Sequence, residues 1–123
     1  MRKSVFHTII ILTTICCFIL LIYINVMQEV NIIFAKSDIE CFSKHEEIAR
    51  LSNNPAEIAH ELRYIVTYYP SGTRNKKNSQ IDKIVEAARM AYIRLCINKF
   101  RSITGNELGD DPQPWISKYL KEK

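Results

Sequence analysis

Residues 5–24 form a run in which only His7, Thr8, Thr13 and Thr14 fall outside the apolar set, and none carries a fixed charge. As a helix rising about 1.5 Å per residue, 20 residues span roughly 30 Å, the thickness of a bilayer's hydrocarbon core. A core helix of a small domain would keep a polar stripe, and this run has none. Its flanks also carry information. Arg2 and Lys3 precede it with no acidic residue, so the rule that basic flanks stay inside places residues 1–4 in the cytoplasm and exports the chain beyond the run. The expected organisation is a cytoplasmic N-terminus at 1–4, a transmembrane signal anchor at 5–27, a juxtamembrane linker at 28–37 and an exported helical domain at 38–123.

A cleaved secretory signal is the rival. Its apolar region would be about 7–15 residues long with small residues at the cut. Here the run is longer, and the candidate cut after Ala35 has the large Ile33 two positions earlier. A lipoprotein signal fits poorly, because Cys16 and Cys17 follow Ile15 and Cys16 where a small residue belongs. The uncleaved anchor is therefore the reading adopted.

From Lys36 onward 88 residues remain, too few for a two-layer α/β enzyme with its own cofactor fold. They hold 15 Lys and Arg against 12 Asp and Glu in mixed order. That pattern lacks the one-sided basic stripe of a nucleic-acid binder. The expected partners are the lipid bilayer and another envelope protein or a second copy of the chain.

Periodicity predicts helices throughout. Residues 25–34 place Val26, Val30, Ile33 and Phe34 at helical spacing, either as a continuation of the anchor or as an interfacial helix. A helix is expected from Asp38 to about Leu51, capped by Ser37 or Asp38, with Phe42, His45, Ile48 and Ala49 on one face. Asn54-Pro55 with Glu57 restarts the chain, and Ile58, Leu62, Ile65, Val66 and Tyr69 share a side. Pro70, Ser71 and Gly72 end that helix. A solvated loop with Arg74, Lys76 and Lys77 leads to Ser79, whose spacing to Asp82 suits an N-cap. The next helix carries Ile81, Ile84, Val85, Ala88, Tyr92, Leu95, Cys96 and Ile103, and Gly105 terminates it. Asp111-Pro112 opens a last short helix through Trp115, Ile116, Tyr119 and Leu120. No run alternates with period two between turns. The fold class is all-α: a transmembrane helix and a small bundle of three to four helices.

The stretch Thr104-Gly105-Asn106-Glu107-Leu108-Gly109-Asp110-Asp111-Pro112, with Trp115 three residues later, resembles the tail of bacterial HEAT-repeat proteins of planctomycete type. Residues 62–94 resemble small membrane-anchored proteins of such bacteria. The resemblance implies a helical-hairpin scaffold or binding module and carries no catalytic residue. Two helix pairs fall short of the three or more repeats a solenoid needs, and Tyr119 stands where a second tail Trp is expected.

Signals of chemistry are sparse. His45-Glu46 and His60-Glu61 begin like a zinc-protease helix, but Ala49 and Tyr64 occupy the second histidine's place. Glu57 and His60 have one Glu-x-x-His spacing where a di-iron bundle needs two. Residues 71–79 lack the order of a phosphate loop, and Glu107, Asp110 and Asp111 lack the spacing of a calcium loop. No cofactor and no metal is expected. Cys41 and Cys96 lie outside the anchor, where they can form one bridge or remain two buried thiols.

A small exported hydrolase or thiol enzyme using Cys41, His45 or His60 is the alternative to the non-enzymatic reading. The candidate binding surface is Tyr68 or Tyr69 beside the basic loop of Arg74, Lys76 and Lys77. Adjacent tyrosines cannot both face one core, and an exposed tyrosine favours an interface.

Overall fold

The structure is a computed structural model that describes residues 2–72 and 79–120; among these it contains four α-helices and no strand. The first, α1, runs Arg2–Leu51 without a break. Its continuity has a compositional cause, since the first proline is Pro55 and the first glycine Gly72. Nothing upstream removes a backbone N–H or frees φ. The helix start expected at Ser37 or Asp38 is therefore absent. Asp38 lies inside α1 and is buried, and residues 25–34 continue the anchor helix, the first of the two outcomes expected for them.

The chain divides into two units, Met1–Ile33 and Phe34–Lys123, with the boundary inside α1. In the first unit every described side chain through Glu29 is exposed. Its threonines and Asn25 are satisfied within the helix. The hydroxyls of Thr8, Thr13 and Thr14 donate to the carbonyls of Ser4, Ile9 and Ile10 at 2.8–3.0 Å, and Asn25 Nδ2 donates to that of Leu21 at 2.8 Å. Hydrocarbon demands such internal pairing, because it offers no partner of its own. α1 contains a stretch long and apolar enough to cross a membrane, none of it buried.

The second unit has a conventional core. Residues 34–51 of α1 contribute Phe42 and Ala49, and α2 (Pro55–Tyr68) contributes Ile58, Ala59, Leu62 and Ile65. α3 (Gln80–Thr104) adds Tyr92, Ile93, Cys96, Ile97 and Phe100, and α4 (Pro112–Tyr119) adds Trp115 and Ile116. α3 packs against both α2 and α4. Its apolar face is consequently wider than one stripe: Ile93, Ile97 and Phe100 join it, while Ile84, expected inside, is 59% exposed. Ile48 of α1 is likewise exposed.

Local signals set the ends of the later helices. Asn54 Oδ1 accepts from Ala56 N at 3.0 Å with Pro55 at the first turn, Ser79 Oγ accepts from Asp82 N at 3.1 Å, and Asp111 Oδ1 accepts from Gln113 N at 3.0 Å. Each satisfies an N–H that the first helical turn leaves open. Glu57, three residues after the cap, does not reach back to the Asn54 N–H. It accepts from Ser52 Oγ at 2.6 Å, and that hydroxyl accepts from Asn54 N at 3.1 Å. Gly105 closes α3 at φ 65°, a left-handed position where a side chain is strained.

The tail motif is consumed by internal contacts. Trp115 is fully buried, stacks on Phe100 with ring centroids 5.1 Å apart, and donates Nε1–H to Gly109 O at 2.9 Å. Tyr119 stacks on Phe100 at 5.2 Å, and its hydroxyl accepts from Asn106 Nδ2 at 2.6 Å. Arg101 donates to both carboxylate oxygens of Glu107 at 2.6 and 2.7 Å and to Asp110 at 2.9 Å. Those bonds hold the Glu107 carboxyl below its ordinary range, chiefly through Arg101, and raise the Arg101 guanidinium.

Candidate functional site

An aromatic row runs from the core of the second unit to its surface, along α2 and the C-terminal part of α1. Phe42, buried, meets Tyr69 edge-on at 5.4 Å. Tyr69 lies 6.2 Å from Tyr64, and Tyr64 lies 4.8 Å from Tyr68. His45 stacks on Tyr64 at 4.6 Å and 26°. Helical spacing explains the row, because residues 64 and 68 are one turn apart. The outcome for the two adjacent tyrosines is clear. Tyr69 is half-buried against Phe42, while Tyr68 is 62% exposed.

His45 is held from a second side. Its Nδ1 pairs with Glu61 Oε2, and the other Glu61 oxygen lies 3.7 Å from His60 Nδ1. Glu61 is thus placed between two histidines, one largely buried and one exposed. The contact joins residues 16 apart and fastens α1 to α2.

At the end of α2, Arg89 of α3 donates Nε–H to Tyr69 O at 2.7 Å and Nη1–H to Glu86 at 3.0 Å. A cation there suits the negative end of a helix. Beyond Glu86 lies a groove of about 580 Å³ lined by Ser71, Gly72, Asp82, Lys83, Glu86, Ala87 and Met90. Aromatic, cationic and apolar groups therefore meet around the α2–α3 turn. Arg74, Lys76 and Lys77, the basic part of the expected surface, lie outside the described residues.

Cys41 and Cys96 are both free thiols in the structure. Cys96 is buried, and desolvation pushes its thiol up to about 12, with the neighbouring Tyr92 hydroxyl acting the other way. Burial also raises the Tyr92 hydroxyl, and Tyr92 Oη makes no hydrogen bond by geometry. Buried and held above its ordinary range, this thiol packs as an apolar group. The histidine one turn from Cys41 has its Nδ1 engaged by Glu61. No group of three or more His, Cys, Asp or Glu side chains among the described residues could hold a metal ion.

Sequence reasoning named Tyr68 and Tyr69 but missed His45, Glu61 and Tyr64 as parts of one cluster. Spacing within one helix carries no trace of a pair formed across the α1–α2 turn. No protein-family model, no curated protein and no solved structure matches the chain.

Proposed function

We propose that this is a single-pass membrane protein whose N-terminus is cytoplasmic and whose helical domain is exported, serving as an interaction or scaffold module of the cell envelope. The observation that carries this reading is the first unit: an apolar helix exposed on every side through Glu29, its threonines and Asn25 bonded to its own backbone. In water such a surface is far larger than the apolar patches monomers tolerate. In a bilayer it is the expected one. Orientation rests on Arg2 and Lys3. The interaction role is supported by Tyr68, exposed at the C-terminal end of α2 with Arg74, Lys76 and Lys77 following in the sequence, and by the likeness of the tail to HEAT-repeat proteins.

Topology is tested with a membrane-impermeant maleimide on intact cells, in a chain lacking Cys41. Ser71→Cys should label without permeabilisation, and Ser4→Cys only after it. The reverse pattern overturns the orientation.

A further inference from the structure

The apolar surface of α1 changes character after Ile24. Up to that residue apolar side chains ring the helix. From residue 25 to the end of the first unit at Ile33 they gather on one side. Successive helical residues turn by about 100°, which sets Val26, Met27, Val30 and Ile33 within one arc of roughly 120°, with Tyr23 on the same arc one turn earlier. Asn25, Gln28, Glu29 and Asn31 occupy the other side, where Ile32 is the one apolar residue. Val30 is half-exposed, and the rest of the arc is exposed.

Depth and stiffness together constrain how such a segment can meet a bilayer. Ile33 lies about 14 Å beyond Ile24 along the axis, whereas the headgroup layer extends only about 5–7 Å past the hydrocarbon core on each side. An upright helix with residues 5–24 filling the core therefore leaves Ile33 in water. α1 has no proline or glycine at which to bend, so the segment cannot turn down into the membrane plane by itself. Leaning of the whole anchor is the remaining way to lower the arc. Tilt is also the ordinary response of an apolar stretch longer than the core.

We propose that the anchor leaves the bilayer tilted toward the side of Val26, Val30 and Ile33, so that this arc rests in the headgroup layer and its partner is the lipid surface. Three features select lipid. The arc continues, without a break in the helix, from the surface that lies in hydrocarbon. Its apolar side is opposed by a polar one, the pattern of a helix partly sunk at an interface. Tyr23 adds a ring suited to that depth, with a hydroxyl that can reach water. Residues 25–33 carry Glu29 and no Lys or Arg, so apolar burial rather than attraction to anionic lipid holds the arc, and zwitterionic lipid suffices. The tilt rests on the membrane reading of the first unit and gives that reading a direction.

The test attaches a fluorophore to single cysteines of the full chain in phosphatidylcholine vesicles. The background carries Cys16→Ser, Cys17→Ser and Cys41→Ser, with the buried Cys96 retained. Doxyl-labelled phosphatidylcholine and aqueous iodide serve as the two quenchers. Lipid quenching should be several-fold stronger at Val26→Cys, Val30→Cys and Ile33→Cys than at Gln28→Cys and Glu29→Cys, and iodide should reverse the order. Lipid quenching that declines steadily from 26 to 33, whichever side a residue occupies, describes an upright helix and overturns the tilt. Shielding of 26, 30 and 33 from both quenchers means that protein covers the arc, and overturns it equally. Leu12→Cys separates the two claims: strong lipid quenching there leaves the anchor intact, and its absence overturns the membrane reading itself.

Discussion

Residues 5–33 and residues 34–120 both carry many large apolar side chains, yet they use them in opposite ways. In the first unit Ile9, Leu12, Phe18 and Ile19 are all half or more exposed; in the second, Ile58, Leu62, Phe100 and Trp115 are wholly enclosed. The difference shows that apolar content alone does not make a core. The second unit has turns at 52–54 and 105–111 that return helices against one another, whereas the first has no glycine or proline to turn on. A helix that cannot fold back must find its apolar environment outside the chain. We read that environment as lipid.

The comparison is broken most severely from the second unit. Trp115→Ala removes a fully buried ring, its stack on Phe100 and the bond to Gly109, and should cost about 3–5 kcal/mol. Thermal unfolding of the full chain in detergent, followed by near-ultraviolet circular dichroism, checks this. The first unit should not respond in that assay to Leu12→Ala, since nothing packs there in the single chain. It should respond to charge instead. Leu12→Arg puts a cation near the centre of the anchor at about 2.5–3.5 kcal/mol of insertion free energy, visible as a reduced membrane-bound fraction.

Smaller effects sharpen the same contrast. Asn54→Ala deletes the α2 cap and should lower the stability of the second unit by about 1 kcal/mol in the same melt. The Arg101–Glu107 clasp should show as a pH effect. The Glu107 carboxyl is held below its ordinary range, so its contribution is complete above that range and is lost as pH falls through the lowered value. Trp115 fluorescence titrated into acid should reveal a loss in the native chain that Glu107→Gln does not share. Tyr68→Ala, at an exposed edge, should leave the melting temperature essentially unchanged, within about 0.5 kcal/mol of stability.

Much of this architecture is legible in sequence because its signals are local. Asn54-Pro55, Ser79, Gly105 and Asp111-Pro112 each act within a few residues of themselves, and each ends or begins a helix where expected. Asp38 shows where locality fails. It has the chemistry of a cap, yet it is buried within α1. The width of the α3 face was hidden as well, since Ile93, Ile97 and Phe100 matter only once α2 and α4 flank that helix. The site was legible only in part. An exposed tyrosine beside Tyr69 can be inferred from alternation of facing, whereas the pairing of His45 with Glu61 depends on how α1 and α2 meet.

The central claim is that the first unit lives in lipid, and alkaline carbonate extraction followed by flotation on a density gradient tests it most directly. The account predicts that the full chain stays with the membranes through the wash and floats with them. Recovery of the intact chain in the carbonate supernatant would contradict it.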